Sequence, residues 1–257
     1  MKNFIFELCA ESAEAARAAE SGGADRIELC SQLPIGGVTP DFDLITEAIE
    51  ALSIPVYVLI RPRGGDFVYS ADEFEQMRRQ IEQVKQAGAA GVAIGVLLSD
   101  GRVDVERSRE LVRLGRPMRV TFHRAFDETV DLCEALEAVI QTGADSLLTS
   151  GGEPDVLAGA DSIARLCRQA GERLDIMAGG GLRLTNLLEV VRRSGVSHLH
   201  GSLTHKRTEG GETDSKLKSN GHIAVSASDL LEDDVRESVR LLRQEFAMKE
   251  FAARTAH

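Results

Sequence analysis

The stretch Val56-Tyr57-Val58-Leu59-Ile60-Arg61-Pro62-Arg63-Gly64-Gly65-Asp66-Phe67-Val68-Tyr69-Ser70 decides how the rest of the chain is read. Its first five residues are an unbroken apolar run, which reads as a strand buried on both faces. Two arginines, a glycine pair and a carboxylate follow where such a strand ends. Over 71–87, Phe74, Met77, Ile81 and Val84 then recur at three- and four-residue spacing, the apolar stripe of a helix. Gln86-Ala87-Gly88-Ala89-Ala90 closes that helix with a glycine suited to a left-handed C-cap, and the next apolar run opens at 91. One strand, one loop carrying polar chemistry and one helix make a unit.

Working outward, the unit recurs. Strands are predicted near 4–9, 26–30, 56–61, 91–97, 119–124, 146–150, 174–178 and 198–203. Helices are predicted over 12–21, 41–52, 71–87, 104–114, 129–142, 155–170 and 184–194, with a final one over about 228–250. Every second connector is alike: Ser21-Gly22-Gly23-Ala24-Asp25, Gln86 to Ala90, Gln141-Thr142-Gly143-Ala144-Asp145 and Arg193-Ser194-Gly195-Val196-Ser197. That period marks an internal repeat. Strict alternation of strand and helix implies a parallel sheet covered by helices. Eight units in about 250 residues is the arithmetic of the (β/α)8 TIM barrel. No GxGxxG follows the first strand, and a doubly wound open sheet usually has fewer strands. The expected organisation is an α/β chain with a single domain over 1–257: a barrel over about 4–203, a mobile loop over about 205–222 and an extra C-terminal helix.

Composition excludes several classes of function. The chain of 257 residues carries a formal charge of −11, which disfavours nucleic acid and anionic membrane surfaces as partners. It has no Trp and few aromatics, so it lacks a stacking platform for single strands. No apolar run approaches the roughly 18 residues of a membrane span, and the N-terminus shows no signal pattern. Four cysteines without framework spacing fit a reducing cytoplasm.

In a barrel, the C-terminal ends of the strands converge on one mouth. Strand parity puts Glu7 with Cys9 on one face and Glu28 with Cys30 on another, and makes Arg61, His123, Thr149 and His200 candidate inward tips. His123, Glu7 and Glu28 are candidates for acid–base work. Arg61 and Arg63, with Asp66, read as a clamp for an anion, since guanidinium forks fit carboxylate and phosphate; pairing of Arg63 with Asp66 is the structural alternative. Thr149, Ser150 and His200 complete the candidate binding set. Gly179, Gly180 and Gly181, followed by Thr185-Asn186, resemble the phosphate-holding turns after strand seven of many barrels. Cys9 and Cys30 end adjacent strands, close enough for two thiolates to share a soft ion such as Cu(I). No lysine stands at a predicted strand tip, which argues against Schiff-base chemistry.

Several longer words carry a resemblance: Ile60-Arg61-Pro62-Arg63-Gly64-Gly65-Asp66-Phe67 with Tyr69-Ser70, Thr121-Phe122-His123-Arg124-Ala125-Phe126-Asp127, and Leu148-Thr149-Ser150-Gly151-Gly152. Arg26-Ile27-Glu28-Leu29-Cys30, with Gly36-Gly37-Val38-Thr39-Pro40, also fits. On these words, over roughly 4–203, the chain resembles the CutC family. The resemblance implies a cytoplasmic TIM barrel serving copper homeostasis, with Cys9 and Cys30 as its Cu(I)-binding thiols. It departs at His198, where similar proteins tend to carry a glutamate. Barrels of this kind are commonly homodimers, although the sequence locates no interface. Two functions therefore stand: copper binding, or an enzyme acting by acid–base chemistry on a small anionic or phosphorylated metabolite. No nucleotide cofactor is evident.

Overall fold

The computed structural model describes residues 4–202 and 227–255. The polar segment predicted over 205–222 lies outside these residues. Eight parallel strands close into a barrel in chain order: β1 (Ile5–Ala10), β2 (Arg26–Leu29), β3 (Val56–Leu59), β4 (Gly91–Ile94), β5 (Arg119–Phe122), β6 (Ser146–Thr149), β7 (Asp175–Ala178) and β8 (His198–Gly201). The helices between them are α1 (Ala13–Gly22), α2 (Phe42–Ala51), α3 (Ala71–Gln86), α4 (Val105–Gly115), α5 (Leu132–Thr142), α6 (Ala160–Ala170) and α7 (Leu187–Ser194). The C-terminal helix α8 (Ala227–Thr255) packs against α1 and α7. Val235, Val239 and Leu242 are its buried face, Phe246 stacks on Phe4 at 5.4 Å, and Glu245 takes Arg192 at 2.8 Å.

Local chemistry sets the boundaries. Ser70 and Glu73 form a reciprocal capping box that starts α3: the Glu73 N–H donates to Ser70 Oγ and the Ser70 N–H to Glu73 Oε2. The four repeated connector glycines, Gly23, Gly88, Gly143 and Gly195, all hold positive φ, between 74° and 98°. A side chain there would be strained, so the repeat seen in the sequence is a repeat of backbone conformation. β3 ends at Leu59: beyond it Arg61 turns to the Thr39 loop, its carbonyl accepting the Thr39 N–H and its own N–H donating to Thr39 Oγ1. Helices α5, α6 and α7 start later than the hydrophobic pattern implies. A 3-10 turn over Arg124–Glu128 and the capping residue Asp131 occupy the segment before α5.

The outer faces of the strands and the inner faces of the helices share one core, with Phe6, Leu8, Ile27, Ile60, Ile94 and Phe122 essentially inaccessible. The barrel interior is different: it carries charge at the level of Glu7, Arg26, Glu28 and His200, and a small apolar patch of Cys9, Cys30, Leu59 and Ala93 above. The stagger of β1 on β2 pairs Glu7 with Arg26 and Cys9 with Glu28. Cys30 then stands one inward step above Glu28.

Candidate metal and anion site

A cavity of about 220 Å³ opens at the C-terminal ends of the strands. Of the residues singled out from the sequence, it brings together Cys9, Glu28, Cys30, Arg61, His123, Gly180 and His200. Glu7 lies beneath it. Arg63, Asp66, Thr149, Ser150, Gly179 and Gly181 are not among the residues that line it.

The thiol side is compact. Cys9 Sγ and Cys30 Sγ are 2.7 Å apart, and both cysteines are free. One oxygen of Glu28, a ring nitrogen of His200 and the Cys9 sulfur all fall within 4.8 Å of one another. The Gly36-Gly37 turn, both residues at positive φ, lets the loop after β2 close over Cys30; a Cβ at Gly37 would meet Leu59 at 2.8 Å. The hydrogen-bonded contact with Cys30, and then burial, hold the Cys9 thiol well above its ordinary pKa, with Glu28 adding repulsion, so it stays protonated at neutral pH.

Below it, Glu7 joins two cations. Arg26 Nε donates to Oε2 at 2.5 Å, and His200 Nδ1 lies 2.7 Å from Oε1. Burial would raise Glu7, but Arg26 and His200 outweigh it and its pKa is lowered. Burial would lower His200, but Glu28 and Glu7 outweigh it and its pKa is raised. Glu28, 3.7 Å from His200 Nε2, is pushed up to about 7, by burial first and by the Glu7 charge, against the opposing pull of His200. The Glu28–His200 pair is therefore poised to exchange a proton near neutrality. A raised folded pKa gives stability that is complete below the unfolded value and lost as pH rises through the folded one. Measured against Glu28→Gln, which cancels the opposite pH dependence of groups such as His123, wild-type stability should fall as pH rises from about 5 to 8, as urea melts of the two proteins across this range will show.

Across the cavity, the Arg61 guanidinium stacks over Phe67, 4.7 Å from the ring centroid. Its Nη1 donates to the carbonyls of Ile35 and Gly37, and its Nη2 to that of Gly65. Gly36 is what allows this approach, since a Cβ there would reach Nη1 at 3.0 Å. His123 Nδ1 accepts the Ala125 N–H at 3.1 Å, so the neutral ring carries its hydrogen on Nε2. Burial, then the charges of Arg61 and Arg124, lower its pKa to about 3, and the ring is neutral at any physiological pH. A Cβ on Gly95 would strike this ring at 2.4 Å, so only glycine leaves room for it.

The residues outside the cavity have other partners. Arg63 is occupied by Asp66 and Glu73 at 2.9 and 2.6 Å and by the Val68 carbonyl, fastening its own loop to α3. Thr149 follows the opposite parity to the inward Ser146 and Leu148; its hydroxyl donates to Asp127. Asp127 also accepts the N–H groups of Ser150 and Gly152 and the Arg124 guanidinium. Nothing in the sequence pattern assigns Asp127 a role, yet it ties the loops after β5 and β6 together. Asp127→Asn turns an acceptor into a donor facing other donors and should cost about 1–3 kcal/mol in chemical denaturation. Arg124, Phe67 and Leu148 line the cavity without having been singled out; the parity of Leu148 with Ser146 was the signal available for one of them.

Comparison with known proteins places the chain in a family. The CutC family matches residues 4–205. A CutC family protein from Caulobacter vibrioides is 42% identical over 239 residues, 93% of this chain and 97% of that protein. The human copper homeostasis protein cutC homolog is 44% identical over 207 residues, 80% of this chain and 76% of that protein. The crystal structure of CutC from Streptococcus agalactiae superposes with a TM-score of 0.73 at 31% identity, covering 77% of this chain and 98% of that one. With a family match that runs from β1 to β8, this chain belongs to the CutC family.

Proposed function

We propose that the protein serves copper homeostasis in the cytoplasm by holding Cu(I) between the thiolates of Cys9 and Cys30, with His200 and Glu28 as the adjoining ligands. The observation that carries this reading is the convergence of two free thiols, an imidazole and a carboxylate in one buried cluster. Soft sulfur donors select Cu(I), and a reducing cytoplasm keeps the pair as thiols. Copper is cargo here, and the residues fit it with one adjustment. With metal–sulfur bonds of about 2.3 Å, two sulfurs on one ion stand roughly 3.7 Å apart at a tetrahedral angle. The thiols must therefore part from 2.7 Å as they lose their protons. Among the described residues, no helix is long and apolar enough to cross a membrane.

The test is an anaerobic Cu(I) titration of the whole protein against a competing chelator. One ion per chain, held tightly enough to compete, is the expected result. Failure to compete, or several weak equivalents, would remove the copper reading.

A further inference from the structure

We infer that the wall of the mouth opposite the two thiols binds a small oxyanion, a carboxylate or a phosphate, through the guanidinium of Arg61 and the Nε2–H of His123. Arg61 carries an uncompensated charge. Arg61 is 5% exposed, and its three hydrogen-bonded acceptors are neutral backbone carbonyls. Its Nε is a buried donor without a partner. Among the described residues, no carboxylate pairs with it. Arg26, buried lower in the same barrel, has Glu7. A chain with 41 acidic residues has no shortage of partners to place there. The nearby Tyr69 hydroxyl does not supply the charge, since burial pushes it up to about 12 despite Arg61 and it stays neutral. A buried guanidinium left with one unpaired donor and no counter-charge is completed by an anionic ligand.

The second observation is independent. His123, also 5% exposed, has a buried Nε2 without a partner. Its Nδ1 is taken by the Ala125 N–H and its Nδ1–Cε1 edge lies over Gly95, which leaves Nε2 as the free donor of a ring that lines the cavity. Phe67 lies under Arg61 and 5.1 Å from the His123 ring, holding the two donors on one surface. Arg124 stands at the rim, its own charge balanced by Asp127. The volume of about 220 Å³ is below that of a site for a drug-sized ligand, so the occupant is a molecule of a few carbon atoms. Anchored at Arg61, it would lie with its other end toward Cys9, Glu28 and His200.

The probes are acetate and inorganic phosphate, titrated separately at constant ionic strength into the full-length, metal-free protein. The readout is the ¹⁵N resonance of His123 Nε2. Saturable shifts for which the two anions compete are expected; the tighter of the two assigns a carboxylate or a phosphate ester. Arg61→Gln should weaken binding at least about tenfold, whereas Cys9→Ala/Cys30→Ala should change it by less than about twofold. This separates the anion site from the copper site, so either reading can fail alone. Arg61 also braces three loop carbonyls, so His123→Phe is the second variant: it should abolish the rise in melting temperature that the anion produces in the wild type. No saturable shift in the wild type would overturn the proposal. So would shifts from acetate and phosphate that do not compete, or binding unchanged in both variants.

Discussion

Glu7→Gln is expected to lose roughly 3–5 kcal/mol of folding stability, the range for removing one partner of a buried ion pair. Glu7 is 2% exposed and holds Arg26 on one oxygen and His200 on the other. Gln keeps the shape and one acceptor but none of the charge, leaving a guanidinium inside the barrel with no carboxylate at contact distance. The pH dependence supplies a second check. A lowered folded pKa gives stability that is complete above the unfolded value, about 4.3, and lost as pH falls through the folded one. The gap between wild type and Glu7→Gln, measured by urea denaturation, should therefore be widest near neutrality and shrink below about pH 4. A variant within about 0.5 kcal/mol of wild type at pH 7 would mean that the network is not what holds the barrel floor together.

Cys9→Ala/Cys30→Ala is expected to weaken Cu(I) binding by more than about a hundredfold, because loss of an outer-shell partner alone costs 10–100-fold. The fold should survive. Both thiols sit in a small apolar patch with Leu59 and Ala93, and Ala is a modest truncation there. The single variants should each fall between wild type and the double variant, since one thiolate with His200 and Glu28 still offers three donors. Equal copper affinity in wild type and double variant would place the ion elsewhere.

The barrel was legible because its signals are local and periodic. Alternating runs gave the strands, and Gly23, Gly88, Gly143 and Gly195 mark a backbone conformation that few other residues tolerate. Cys9, Glu28, Cys30, Arg61, His123 and His200 were found by strand parity, which fixes the face of a side chain from its position alone. What parity does not fix is register. The β1–β2 stagger pairs Glu7 with Arg26, so the charged floor of the site depended on a shift between strands that no single strand encodes. Loops were less legible still. Arg63 and Asp66 read as half of an anion clamp, but the Gly64-Gly65 turn folds them against each other and Glu73. Thr149 and Ser150 are ordered by Asp127, a contact across two βα loops some 22 residues apart in sequence.

The most direct test of a thiol-centred copper site is the X-ray absorption spectrum of the protein loaded anaerobically with one equivalent of Cu(I). Two sulfur neighbours per copper are expected in the wild type, reduced to nitrogen and oxygen neighbours alone in Cys9→Ala/Cys30→Ala. A wild-type spectrum with no sulfur in the first coordination shell would contradict that expectation.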